Sequence, residues 1–224
     1  MNVLNKCFII TAIIILYPLW AAAQLRGLDG SVLDKIETGS VIALWLRGTP
    51  GVNPDIPEKV KPCGKRFFNI HNPNITVYKP GNSNGVAVVL CAGGGYAYIA
   101  TGVEGVPTAE KLNQAGITVF VLKYRLPPTP GVNFQHPVPL SDALRALQLV
   151  RYYAPEFNIN SDKIGIMGFS AGGHLASLAG TMFSEYTFGN DLISKVNSRP
   201  DFICLVYSAI ATKEGKALSN TQLL

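Results

Sequence analysis

A chain of 224 residues, 48% hydrophobic and 15% charged, is long enough for one α/β domain with a sizeable core and too apolar to be intrinsically disordered. Its net charge of +5 is mild. Lys and Arg are scattered without a run, which argues against a nucleic-acid partner.

The first residues stand apart. Lys6 is the only early charge, and Cys7 to Trp20 follow without another, with isoleucine clusters at 9–10 and 13–15. Ala21, Ala22 and Ala23 then supply small residues before Gln24. That order predicts a secretory signal peptide over 1–23, cleaved after Ala23, and a domain over 24–224. The expected location is secreted or periplasmic, with a membrane met only through the signal. An uncleaved anchor is the competing reading. No Leu-x-x-Cys arrangement closes the apolar run, which disfavours a lipoprotein. Beyond the signal stand Cys63, Cys91 and Cys204. Three is odd, so at least one thiol is free. Cys91 and Cys204 lie in apolar, strand-like runs and are expected to be buried packing residues. No Cys/His spacing suits zinc or iron, and no metal or organic cofactor is implied.

Residues 24–40 read as a loose leader or short helix. Val41 to Leu46 predicts a strand, and 49–54 a turn. Asn74 to Lys79 alternates polar and apolar residues, as a half-exposed strand does. A turn over 80–85 leads into the apolar strand Val86 to Cys91. A helix over 106–115, closed by Gly116, precedes a buried strand at 117–122. Residues 141–154 predict an amphipathic helix with Leu140, Ala143, Leu144, Leu147 and Val150 on one stripe. A strand at 163–168, a helix from 171 and a strand at 202–207 complete the pattern. From residue 86 onward, apolar strands alternate with helices, which predicts an α/β fold with a mostly parallel sheet covered on both faces. The tail 213–220 has no strand pattern.

Gly168-Phe169-Ser170-Ala171-Gly172 sits between the predicted strand and helix. Gly-x-Ser-x-Gly in that setting is a nucleophile elbow, a tight turn that pushes the serine hydroxyl clear of the backbone. A serine hydroxyl needs a base to take its proton and donors to hold the oxyanion that forms. The N–H of Ala171 follows the nucleophile at a helix N-terminus. Cys91-Ala92-Gly93-Gly94-Gly95-Tyr96 leaves a buried strand, and its glycines let backbone N–H groups approach a substrate oxygen. No Gly-Lys-Ser/Thr follows, so a phosphate loop is the weaker reading.

Four motifs in fixed order carry a family resemblance: the Gly-Gly-Gly-Tyr loop, Leu122-Lys123-Tyr124-Arg125-Leu126-Pro127, His136-Pro137-Val138-Pro139-Leu140-x-Asp142, and Gly168-Phe169-Ser170-Ala171-Gly172-Gly173-His174. Over roughly 75–210 the chain resembles α/β-hydrolase esterases related to bacterial acetyl xylan esterases. The resemblance implies an eight-stranded sheet, Ser-Asp-His catalysis, and acetyl or other short acyl esters as substrates, often on plant polysaccharides. It places the catalytic nucleophile at Ser170 and oxyanion donors on Gly94 and Gly95 beside Ala171. Arg125 and Asp142 are expected to pair structurally, holding the strand 117–122 near the helix 141–154. Glu104 either joins them or lines the pocket mouth. His174 is expected to pack rather than reach Ser170 Oγ, and His71 to lie on the surface.

In this fold the triad acid and base follow the serine in chain order. After Ser170 there are 54 residues, with Asp191 and Asp201 as the only aspartates and His174 as the only histidine. Neither aspartate follows a later strand. The triad Asp and His are therefore expected to be absent from this chain, which reads as a fragment of a longer hydrolase lacking the last strands. A complete chain recruiting His136 and Asp142, or a hydrolase-fold binding protein without the relay, are the alternatives.

Overall fold

The computed structural model describes residues 35–45, 49–50, 57–63, 65–127, 138–184, 190–208, 212–213 and 216–217. The signal-peptide expectation over 1–23 and the loop holding His136 lie outside the described residues.

The framework is a six-stranded sheet in the order β1 (Val41–Ala43), β4 (Asn74–Tyr78), β7 (Thr118–Lys123), β5 (Ala87–Cys91), β8 (Ile164–Phe169), β9 (Ile203–Val206). Pairing is parallel from β7 through β5 and β8 to β9, and antiparallel at β1–β4 and β4–β7. The mixed, mostly parallel sheet is as expected. Period-two alternation divides it into two cores. Val89, Cys91, Phe120, Leu122, Ile164 and Ile166 face α2 (Val138–Tyr152), α3 (Ala154–Phe157) and α4 (Ala171–Thr181), while Val88, Leu90, Val119 and Val121 face α1 (Val106–Gln114). Strand β4 alternates as read: Ile75 and Val77 are buried, and Thr76 and Tyr78 partly so.

Three elements carried no sequence expectation. A small antiparallel sheet joins β2 (Lys59–Lys61), β3 (Arg66–Phe68) and β6 (Ile99–Ala100). Its last strand follows the glycine loop directly and ties that loop's far end. A π-helical turn, Thr101–Gly105, then leads into α1. In the tail, where no strand was expected, β10 (Thr212–Lys213) and β11 (Lys216–Ala217) pair antiparallel.

Three expectations need correction. Helix α2 is not amphipathic: it is buried all round from Val138 to Val150, because it lies between the sheet and α4 on one side and the segment 191–196 on the other. Its polar residues are buried with partners. Arg145 donates through Nε to Leu44 O (2.9 Å) and through both Nη atoms to Asp191 (2.9 and 2.5 Å). Gln148 Nε2 reaches Val196 O at 2.8 Å. His71 is 2% exposed, not a surface residue. Its neighbour Ile70 is in the main core, and Glu58 Oε1 accepts the N–H groups of both His71 and Asn72 (2.8 and 2.7 Å), drawing the segment inward. Cys91 is buried as expected, but Cys204 is exposed. It sits on β9, the edge strand among the described residues, where Ile203 and Leu205 are 41% and 40% exposed. All three cysteines 63, 91 and 204 are free thiols. Residues 35–40 form a turn, in keeping with the loose-leader alternative, and 24–34 lie outside the described residues.

Candidate active site

Strand β8 runs into the core, and the chain reverses at Ser170 into α4. Ser170 adopts φ 49°, ψ −116°, a region that costs a residue with a side chain roughly 1–3 kcal/mol. The turn is held by two backbone hydrogen bonds. Ser170 N–H donates to Val206 O at the end of β9 (3.1 Å), and Ser170 O accepts from His174 N (3.0 Å). Glycine is required on both sides: a Cβ at Gly168 would stand 2.0 Å from Gly172 O, and one at Gly172 would stand 2.2 Å from Cys91 O. The first turn of α4 therefore packs directly on the end of β5.

That contact brings in the glycine loop. A Cβ at Gly93 would lie 2.7 Å from Phe169 O and 3.1 Å from Ser170 Cβ, so the loop abuts the elbow. Three of its carbonyls are engaged. Ala92 O accepts from Tyr124 Oη (2.7 Å), Gly93 O from Ala100 N (3.0 Å), and Gly94 O from Ala97 N (3.0 Å). Gly93 N–H is also engaged, with Glu104 Oε2 at 2.5 Å. The N–H groups of Gly94 and Gly95 make no hydrogen bond to any described residue. Gly94 (φ 140°) and Gly95 (φ 61°) both need the freedom of glycine. Ala171, first residue of α4, has no intrahelical acceptor for its N–H. Three amides without an acceptor among the described residues thus belong to two segments in contact, the glycine loop and the elbow, an arrangement suited to holding a developing oxyanion.

Arg125 and Asp142 are paired, as their chemistry suggested. Asp142 is fully buried and accepts from Arg125 three times: backbone N and Nε to Oδ2 at 2.9 Å each, and Nη2 to Oδ1 at 2.6 Å. It also accepts from Trp45 Nε1 at 3.0 Å. The pair ties the segment after β7 to α2 as expected. Glu104 takes no part in it. One oxygen holds Gly93, and Tyr207 Oη donates to the other at 2.6 Å, which places Glu104 at the glycine loop.

His174 is 3% exposed and its Nδ1 lies 2.9 Å from Tyr96 Oη, with the rings edge to face. Burial pulls its pKa below the ordinary 6.5, because a low-dielectric site disfavours the cation. Tyr96, 1% exposed, also packs edge to face on Tyr124, and burial raises both phenols. Asp191 is bonded to Arg145, which holds its carboxyl at about 2. Asp201 accepts from Ile164 N (2.8 Å) and Arg151 Nη2 (3.0 Å). Every His and Asp that follows Ser170 thus has a structural partner.

Sequence reasoning gave no role to Tyr96, Tyr124 or Tyr207. Tyr96 and Tyr124 stand inside the quoted motifs, so a signal existed. Tyr207 follows β9 and carried none.

A mostly parallel sheet with an elbow serine at the end of an inner strand and a glycine loop at the end of its neighbour defines the α/β-hydrolase fold. The chain belongs to the BD-FAE family, whose model matches residues 75–210. It is 37% identical over 137 residues to an acetylxylan esterase from Xylanibacter ruminicola and 34% identical over 125 residues to endo-1,4-beta-xylanase B from Butyrivibrio fibrisolvens. These matches cover 61% and 56% of this chain but only 25% and 19% of those proteins. Among solved structures it resembles an acetyl ester-xyloside bifunctional hydrolase from Caldicellulosiruptor lactoaceticus, at 37% identity and a TM-score of 0.63, over 80% of this chain and 60% of that one. The chain therefore spans a quarter or less of the curated relatives it matches.

Proposed function

We propose that the chain carries the nucleophile half of a serine carboxylesterase that hydrolyses short-chain, mainly acetyl, esters on xylan or other plant polysaccharides, outside the cytoplasm. The observation that carries this reading is the strained elbow at Ser170 packed against a loop whose Gly94 and Gly95 amides have no acceptor among the described residues. The acetylxylan esterase and the acetyl ester-xyloside hydrolase among its relatives point to the substrate class.

In this mechanism a base takes the Ser170 proton as Oγ attacks the ester carbonyl. The carbonyl oxygen becomes an oxyanion held by the N–H groups of Gly94, Gly95 and Ala171. Collapse expels the sugar hydroxyl, protonated by the same base, and leaves an acyl-serine. Water then attacks through a second oxyanion and frees the acid. One such donor contributes roughly 3–4 kcal/mol of transition-state stabilisation. No step calls for a metal or organic cofactor.

The acid and base of this relay lie outside residues 1–224. The support is that His174 Nδ1 is bonded to Tyr96, Asp191 to Arg145 and Asp201 to Arg151, and that among the described residues none of the three is hydrogen-bonded to Ser170 Oγ. The test is to read the gene past codon 224 and express the uninterrupted frame. The proposal expects an Asp and then a His downstream, and p-nitrophenyl acetate turnover that Ser170→Ala abolishes. A stop codon at 225 with no turnover would instead favour a hydrolase-fold binding protein.

A further inference from the structure

We propose that Glu104 is a positioning residue for the oxyanion loop, clasped by Gly93 N–H on one carboxylate oxygen and by the Tyr207 hydroxyl on the other. The proposal rests on the esterase reading and extends it to residues whose role the motifs leave open.

Glu104 belongs to the π-helical turn Thr101–Gly105, directly before α1. Such turns are rare and recur at functional sites. The turn is itself anchored, because Thr101 Oγ1 donates to Lys65 O at 2.9 Å. From this position Oε2 meets Gly93 N at 2.5 Å and Oε1 meets Tyr207 Oη at 2.6 Å. The same carboxylate oxygen and Ser170 Cβ each lie 3.1 Å from the point where a Gly93 Cβ would stand, so the clasp adjoins the nucleophile. Tyr207 is bound to the elbow as well: its ring is 5.7 Å from that of Phe169, and it adjoins Val206, whose carbonyl holds Ser170 N. Three separate segments, the loop after β5, the elbow after β8 and the end of β9, converge on one carboxylate.

Two consequences follow. The loop's first glycine amide is engaged by protein, so it does not compete for the substrate oxygen, and Gly94 and Gly95 are left as donors. The charge beside the site is also contained. An unbonded carboxylate near a developing oxyanion would raise the barrier by like-charge repulsion, whereas here each oxygen has a donor.

The test uses protein from the uninterrupted frame, with Glu104→Gln and Tyr207→Phe. Oxyanion donors act in the transition state, so displacing them lowers kcat rather than raising KM. The expected result is a fall in kcat of about 10–100-fold for Glu104→Gln and about 3–10-fold for Tyr207→Phe, with KM within about twofold. Inhibition by an alkylboronic acid, which mimics the tetrahedral adduct on Ser170, should weaken by the same factors. Gly93 amide exchange should quicken in both variants. Tyr207 is 65% exposed, so Tyr207→Phe keeps the fold and remains informative if Glu104→Gln does not. Both variants within twofold of wild type in kcat and boronate affinity, while Ser170→Ala abolishes turnover, overturns the clasp alone. Turnover that survives Ser170→Ala overturns the esterase reading, and the clasp's role with it.

Discussion

Ser170 and Val206 are joined by a 3.1 Å hydrogen bond from the serine amide to the valine carbonyl, which fastens the strained residue of the elbow to the neighbouring parallel strand. The strain is sustained because the turn has no room to relax: Gly168 and Gly172 each face backbone where a Cβ would go. Gly168→Ala is expected to cost about 3 kcal/mol, the upper end for over-packing, since the obstacle is main chain and not a movable side chain. Urea unfolding of wild type and variant measures it, and a loss below about 1 kcal/mol would contradict the packing described.

Arg125 and Asp142 predict a second stability effect. Asp142 is fully buried and Arg125 2% exposed, so Asp142→Asn leaves an uncompensated cation in the core. The expected cost is about 3–5 kcal/mol, read from the shift of the denaturation midpoint at constant slope.

The pH dependence of stability has a definite sign. Burial depresses the pKa of His174 below 6.5, so around and just below that pH the unfolded chain binds more protons than the native one, and stability falls as the solution is acidified. His174→Phe should flatten the profile on the acid side of 6.5. Asp191, held at about 2 by its hydrogen bonds to Arg145 against an ordinary 3.8, contributes stability that is present above 3.8 and lost as pH falls toward 2. Asp191→Asn should flatten the lower segment and leave the His174 segment in place, at a lower overall stability because buried Arg145 loses its counter-charge. Chemical denaturation at a series of pH values separates the two.

Residues 24–224 alone should hydrolyse p-nitrophenyl acetate only in trace amounts, and Ser170→Ala should change that rate little. Without a base, what remains is the oxyanion hole and binding, which in serine proteases retain about 10³–10⁴-fold over water. Robust Ser170-dependent turnover would show that a base lies within the chain, with His136 the first residue to test.

What the sequence made legible was local. The elbow and the glycine loop could be read because glycine marks places where backbone meets backbone, and Gly168 and Gly172 are such places. Strands β5, β7 and β8 could be read because they are buried on both faces and so apolar throughout. What stayed hidden depends on distant partners. Helix α2 looked amphipathic because Asp142, Arg145 and Gln148 are polar, yet each meets its partner in a segment distant in sequence. His71 sits in an Asn-rich stretch that looked like surface, and Glu58, more than ten residues upstream, pulls that stretch inward. Cys204 lies in an apolar run that proves to be the exposed edge among the described strands. Glu104 was ambiguous for the same reason: its partners Gly93 and Tyr207 are on separate strands' ends, and Tyr207 carries no motif.

The nucleophile itself is open to direct chemical capture. Protein from the uninterrupted frame, treated with a fluorophosphonate and mapped by peptide mass spectrometry, should carry a single phosphonyl group on Ser170, with esterase activity lost in proportion to labelling. A folded protein that takes up no label, or takes it up on another residue while activity is lost, would contradict Ser170 as the nucleophile.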